Sequence, residues 1–288
     1  MNHDKLLVRP GELFMLKDVD ADFTGRFKGK REASKKLAAD IQRLAVLQDA
    51  LHAQDSHAVL VIIQAMDAAG KDSVIEHVMS GVNPQGCEVH SFKVPSTLEL
   101  SHDYLWRCTK VLPERGKIGI FNRSYYEEVV VVRLHPEFLQ AQRLPPVTLE
   151  LDLWQRRYDE INNFERYLVN NGTTVLKFFL NVSKTEQKER FLERIDRPEK
   201  NWKFSAKDVD ERGRWREYMK AYEAMLNHTS TEWAPWYVIP ADHKWFTRVA
   251  VADILVAKLG SLYLRPPMLS RERRAELKKS RARLMSEK

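Results

Sequence analysis

AVLVIIQAMDAAGKDSVIEHV, residues 58 to 78, runs from an apolar stretch through Asp67-Ala68-Ala69-Gly70-Lys71 into a helical pattern. The stretch 58–64 has the length and aliphatic content of a strand buried on both faces. The turn after it fits the phosphate-loop spacing of Gly, four residues, then Gly-Lys-Ser/Thr at all but two positions. Ala65 stands at the first glycine, and Asp72 stands at the hydroxyl. Such a loop needs a strand before it and a helix behind it, because unpaired N–H groups at the helix start point toward an anion. Lys71 then reaches terminal phosphates as a point charge, and the small Ala68, Ala69 and Gly70 let the backbone come close. Asp72 belongs to this phosphate-binding set or favours the helix start by its charge.

The rest of the chain repeats the alternation. Helices are predicted over 31–54, over 70–82, over 101–112, from Ser124, over 151–171 up to Gly172, over 185–195 and over 244–263. Strands are predicted over 87–93, 117–122, 173–181 and 236–240. Strands alternating with helices imply a parallel sheet covered on both faces. The predicted fold is a three-layer α/β/α P-loop kinase fold with a five-stranded parallel sheet and a helical lid. No repeat or low-complexity linker interrupts it, so residues 1–288 are expected to form one domain. Within it lie an N-terminal helical segment (1–56), a lid region (184–216) and a basic C-terminal tail (270–288).

Composition narrows the chemistry. Hydrophobic residues at 43% and charged residues at 30% describe a globular chain, and no apolar run approaches the roughly 20 residues of a membrane span. No signal-peptide pattern opens the sequence, and only Cys87 and Cys108 are present, so a reducing, cytoplasmic setting is expected. No Cys/His cluster has zinc spacing. The net charge of +7 is concentrated at one end: residues 271–288 carry eight Lys/Arg against three Glu. That tail is either a solvated helix or a polyanion-binding arm.

Two segments bear on the phosphates. Asp67 supplies a hard oxygen inside the loop, where a carboxylate makes sense if Mg²⁺ bridges it to substrate; the alternative is a loop cap. The third strand ends at Asn122, at the place where an acid would supply a second magnesium ligand, and Arg123 follows at the carboxyl edge, positioned to neutralise transition-state charge. Glu127 is either the compensating acid and metal ligand or the partner of Ser124 in a capping box. Arg133, farther along that helix, is a further phosphate-binding candidate. Between the fourth and fifth strands Arg190, Arg194, Arg197, Lys200 and Lys203 crowd around Pro198 and Asn201. A basic, broken helical stretch there suits a lid that closes on phosphates and excludes water. Asn83 and Gln85, in a turn before the second strand, and Asp242, at the end of the fifth, are candidates to approach a nucleotide. The first two otherwise simply turn the chain, and Asp242 otherwise caps the last helix. Trp202, Trp215, Trp233, Trp236 and Trp245 read as packing residues.

MDAAGKD, GVNPQGCEVHSFKVPS, GIFNRSYYEEVVVVRLHPE, RIDRPEKNWKFS and APWYVIPADHKWFTR, in order from residue 66 to 248, resemble the second family of polyphosphate kinases, which are P-loop phosphotransferases. The resemblance implies phosphoryl transfer between inorganic polyphosphate and a nucleoside phosphate with Mg²⁺. Adenine (or guanine) nucleotides, Mn²⁺ in place of Mg²⁺, and a homo-oligomer with no membrane or nucleic-acid partner are expected alongside it. Asp67 and Lys71 match the loop acid and lysine, and Arg123 the arginine after the third strand. Asn122, where many members have Asp, together with Tyr-Tyr-Glu-Glu, resembles the subgroup accepting AMP as well as ADP. An ATP-dependent nucleoside monophosphate kinase would normally keep the hydroxyl that Asp72 replaces. A polyanion- or RNA-binding protein has no need of an acid in the phosphate loop, and the short aromatic motifs of RNA modules are not found.

Overall fold

Strand β1 (Ala58–Ala65) is buried along its whole length and pairs on both sides, with β3 and β4, in the computed structural model, which describes residues 1–149, 152–265 and 267–287. In chain order the elements are α1 (Lys30–Gln54), β1, α2 (Lys71–Val78), β2 (Cys87–Ser91), the single turns α3 (Thr97–Leu100) and α4 (Trp106–Thr109), and β3 (Ile118–Asn122). Then come α5 (Glu127–Leu134), α6 (Pro136–Ala141), α7 (Pro146–Leu149), α8 (Leu153–Asn170), β4 (Thr173–Asn181), α9 (Lys184–Asp196), α10 (Ala206–Gly213) and α11 (Trp215–Thr229). β5 (Trp236–Pro240), α12 (Lys244–Ser261) and α13 (Arg271–Ser286) complete the chain. The strands form one parallel sheet in the order β2-β3-β1-β4-β5.

This order places the site. The chain leaves β1 toward β2 on one side and returns from β3 to β4 on the other. Right-handed crossovers therefore put α2 and α5 on opposite faces. Helices α1, α2 and α12 pack together on one face, and α5, α8 and α11 on the other. The crevice where the order reverses opens between the carboxyl ends of β1 and β3, with Ile63 opposite Asn122. Aliphatic and aromatic side chains from both faces of the sheet fill one continuous core.

Several expectations shift at the edges. The strand expected over 87–93 ends at Ser91, and the helix expected over 70–82 runs only from Lys71 to Val78. The helix expected over 101–112 is only the turn α4, because the Asp103 carboxylate accepts the N–H groups of Leu105 and Trp106 and holds a turn ahead of it. The helix expected from Leu151 starts at Leu153 behind the Asp152 cap; Leu151 lies outside the described residues. Residues 1–29 are not helical beyond two short 3-10 turns. They cross the body instead: Val8 N donates to Trp236 O (2.9 Å) and Val238 N to Leu6 O (2.7 Å), an antiparallel bridge on the outer edge of β5. The tail helix α13 buries none of its described residues; Lys288 lies outside them. Trp236 is buried as expected, whereas Trp202 is 78% exposed, with Lys203 over its ring. No described helix is long and apolar enough to cross a membrane.

Candidate active site

Ala65 is still part of β1, paired with Leu180, so the position needs no glycine. The chain then turns through left-handed backbone at Ala68 (φ 61°) and Gly70 (φ 108°) before α2 begins at Lys71. The loop's carbonyls are fastened outward. Gln187 donates to Asp67 O (2.9 Å), and Arg190 donates to Ala68 O (2.9 Å) and Ala69 O (2.8 Å). The Lys71 ammonium folds back to Ala65 O (3.1 Å) and Met66 O (3.2 Å) and lies 3.9 Å from the Asp67 carboxylate. Burial, with the Arg123 charge adding to it, lowers Lys71 to about 8. Burial opposes charge on Asp67 as well, yet Lys71, Arg123 and Arg194 carry its carboxyl below the usual range. The result is a concave turn with carbonyls tied away, a cation at its centre and the open N–H groups of a helix start in front.

The end of β3 supplies the opposite wall. Arg123 adopts left-handed backbone (φ 64°), held by its N–H to Ile63 O (3.1 Å). Its guanidinium pairs with Asp67 and, at 3.1 Å, with Glu127. Glu127 foremost, and Asp67 after it, raise the Arg123 pKa against burial and keep the group charged. Asn122 donates to Asp72 at 2.6 Å. The capping box does not form: Ser124 Oγ accepts from Tyr126 N (3.2 Å), and no side chain caps α5. Glu127 is free of that duty, and its second oxygen accepts from the Gln64 amide (2.9 Å) when that amide is turned to satisfy both its ends. Behind this wall a buried network fixes the Tyr125-Tyr126 turn. Both tyrosine hydroxyls donate to Glu165 (2.9 and 2.7 Å), and Lys177 donates to Glu165 and to Thr229 O (2.6 Å each). Sequence reasoning missed this pair; the only trace is a lysine inside the apolar strand TTVLKFFLN.

A cavity of about 490 Å³ opens beside the loop. Asp67, Arg123 and Glu127 lie at its polar end, and Phe92, Pro95, Tyr104, Phe138 and Tyr218 line the rest, with Lys207 and Glu211 of α10 on its rim. The loop after β2 that supplies Phe92 and Pro95 lies in the SFKVPS segment, where no local pattern aims it at the phosphate site.

The structure thus brings together Asp67, Ala68, Ala69, Gly70, Lys71, Asp72, Asn122, Arg123 and Glu127, with Arg194 close enough to act on Asp67. Others fall elsewhere. Asn83 and Gln85 precede β2, which places them at the amino edge of a parallel sheet, opposite the loop, in a turn fixed to α1 by Asn83 N donating to Gln48 (3.3 Å). Arg133 is exposed and donates to the Tyr158 hydroxyl (2.8 Å), outside the cavity lining. Asp242 lies at the carboxyl edge but accepts from Ser183 N (2.7 Å), and it does not cap α12, whose cap position is His243. Arg197 and Lys200 are paired with Glu193 (3.1 and 2.5 Å) around the 3-10 turn Pro198–Lys203, while Lys203 stays exposed. Arg190 is no lid residue: it is 5% exposed and belongs to the frame of the loop. No cluster of three or more His, Cys, Asp or Glu that could hold a metal occurs among the described residues, so any cation there would draw most of its ligands from substrate.

A family model described as "Polyphosphate kinase 2 (PPK2)" matches residues 28–265. Among curated proteins the chain is 52% identical over 260 residues to "ADP-polyphosphate phosphotransferase" of Rhodopseudomonas palustris, covering 90% of each chain. It is 47% identical over 264 residues to "AMP/ADP-polyphosphate phosphotransferase" of Meiothermus ruber, covering 91% of this chain and 95% of that one. Among solved structures it is similar to a polyphosphate kinase 2 from Arthrobacter aurescens, with a TM-score of 0.87 and 41% identity over 99% of this chain and 96% of that one.

Proposed function

The chain belongs to the polyphosphate kinase 2 family, and we propose that it transfers phosphoryl groups between inorganic polyphosphate and both AMP and ADP, with the polymer end on the Asp67–Lys71 loop and the nucleotide in the adjoining cavity. One observation carries the residue assignment. Arg123 joins a loop carboxylate, Asp67, to a cavity carboxylate, Glu127, so a single guanidinium stands where donor and acceptor phosphates would meet. An oxygen of the acceptor's terminal phosphate attacks the terminal phosphorus of the polymer; the bond to the rest of the polymer breaks, and the chain leaves one unit shorter. The protein contributes position and charge. Lys71 and the helix-start N–H groups hold the transferred group, Arg123 offsets charge spread over its oxygens, and Arg194 with α10 covers the mouth and excludes water. Asp67 is the group that would hold Mg²⁺, or Mn²⁺, which supplies charge neutralisation between the two phosphate chains. Glu127 lies within reach of the same position but already serves Arg123 and Gln64. A reducing, cytoplasmic setting belongs to this reading, since both cysteines are free; so does a homo-oligomer, which light scattering reads directly.

The test supplies Mg²⁺ and AMP or ADP with either long-chain polyphosphate or ATP as donor. Transfer to both acceptors from polyphosphate is expected. Asp67→Asn and Lys71→Ala should fold and lose at least about a hundredfold in turnover, the scale of a lost electrostatic stabiliser. Use of ATP but not polyphosphate, or near-normal turnover of either variant at saturating Mg²⁺, would overturn the assignment.

A further inference from the structure

The two positions at which the chain departs from the ordinary loop chemistry meet in space. Asp72 replaces the hydroxyl after Gly-Lys, Asn122 replaces the acid at the strand end, and Asn122 Nδ2 donates to Asp72 Oδ1 at 2.6 Å. The ordinary arrangement sets one neutral hydroxyl on the helix and one carboxylate on the strand. Here the helix carries the carboxylate and the strand the neutral amide, so the exchange keeps one negative charge and one neutral donor. The amide is held firmly: Asn122 is 9% exposed, pairs in register with Ile63 and Ser91, and its carbonyl accepts from Phe92 N (3.1 Å). Asp72 is exposed in the first turn of α2, next to Lys71, where a negative charge is favoured. Only its Oδ1 is engaged by Asn122; the carboxylate stands at the mouth of the loop with its direction set from the strand.

We propose that Asn122 is a positioning residue for Asp72, and that the two work as one unit presenting a single, oriented negative charge at the mouth of the phosphate loop. The inference rests on the phosphotransferase reading above. It has a sharp consequence. Asn122→Asp, conservative in shape, sets two carboxylates against each other and adds a charge beside an anion site. Asp72→Asn removes the charge. The double exchange Asp72→Asn with Asn122→Asp restores one amide, one carboxylate and the same net charge.

The experiment compares wild type, both single variants and the double variant by turnover with ADP and polyphosphate, by calorimetric binding of tripolyphosphate without Mg²⁺, and by thermal melting. Asn122→Asp should lose about tenfold or more in kcat, at the lower end of lost electrostatic positioning, and should bind tripolyphosphate more weakly. The double variant should recover both quantities to within about threefold of wild type, so that the two effects are strongly non-additive. Asn122→Ser, neutral and small, should lower kcat with little change in KM and covers the case in which Asn122→Asp does not fold. Wild-type turnover in Asn122→Asp, or losses that simply multiply in the double variant, would overturn the unit. If wild type bound tripolyphosphate but did not transfer from polyphosphate, the functional reading would fall, and the binding cycle would still decide whether the pair is coupled.

Discussion

Arg190 offers the most exacting test of how the loop is built. It donates to four backbone carbonyls, Ala68 O (2.9 Å) and Ala69 O (2.8 Å) in the loop, and Ala241 O (2.6 Å) and Asp242 O (3.0 Å) after β5. A fifth bond runs to Glu186 (2.7 Å) one turn back on α9. One guanidinium therefore fastens three segments that are far apart in sequence. Arg190→Met removes all five bonds while keeping much of the bulk. Each buried carbonyl left without a donor costs about 1–3 kcal/mol, and water can reach those nearest the rim, so a total of about 3–5 kcal/mol is expected. At about 2–4 °C per kcal/mol for a chain approaching this size, the melting temperature should fall by about 6–20 °C. Arg190→Lys keeps the charge but cannot span four acceptors with one ammonium, and it should recover less than half of the loss. Catalysis should follow, with about tenfold lower kcat/KM, because a loop displaced by a fraction of an ångström loses its alignment. A melting temperature within about 2 °C of wild type in Arg190→Met would refute the fastening role. Lost turnover at unchanged stability would return Arg190 to the substrate-contacting lid that its place in the sequence suggested.

Three further outcomes are expected. Lys71, at about 8 in the folded protein against 10.5 unfolded, is disfavoured as a cation by folding; the unfolded chain binds more protons between those values, so a destabilisation fully present below 8 is relieved as pH rises across that window. Phosphate binding favours the ammonium, so tripolyphosphate should bind with proton uptake and more weakly as pH rises through about 8, and Lys71→Met should abolish that uptake in calorimetry; uptake unchanged in the variant would refute the assignment. Truncation after Pro267 removes the described part of α13 and most of the excess charge; KM for polyphosphate should rise at low salt and converge with the full chain at high salt, and an equal KM at low salt would leave the tail a solvated helix. Glu127→Ala should hurt AMP phosphorylation more than ADP phosphorylation, because a smaller acceptor must be met by an adjustable acid; equal losses would leave Glu127 only the partner of Arg123 and Gln64.

The strands were legible because each is a short aliphatic run bounded by turn residues. β4 and β5 have the predicted bounds, and β1 exceeds its own by only one residue. The strand-to-helix turn around Gly70-Lys71 was legible because an aliphatic run, then small residues, then a helical pattern follow one another directly. Some misses trace to geometry that spacing already contained. A turn that precedes a strand of a parallel sheet must lie at the amino edge, which removes Asn83 and Gln85 from the site. Six residues along a helix turn the side chain through about 240°, which carries Arg133 away from the direction of Glu127. Other misses could not be read at all. The Glu165–Lys177 pair joins a helix to a strand, and the Asn122–Asp72 bond joins residues 122 and 72; both exist only once the sheet has assembled. The Ser124 hydroxyl had two nearby amides to serve and serves Tyr126, a choice that the local pattern S-x-x-E does not decide.

The segment Leu6–Val8 along β5 bears on how the outer edge of the sheet is protected while the chain folds. An outer strand presents unpaired N–H and C=O groups that recruit other chains into intermolecular sheets, and here the N-terminal segment occupies that row. The contact links residue 7 to residue 237, among the widest loop closures in the chain, so it forms late. During synthesis the sealing segment leaves the ribosome long before the strand it seals, and until the two meet β5 is open to the same segment of a neighbouring molecule. By covering that row, Leu6–Val8 should guard β5 against pairing with other chains. Removing the first eight residues should leave the phosphate loop intact, since β1 lies two strands away, but should leave a chain that precipitates on refolding at concentrations where the full chain does not.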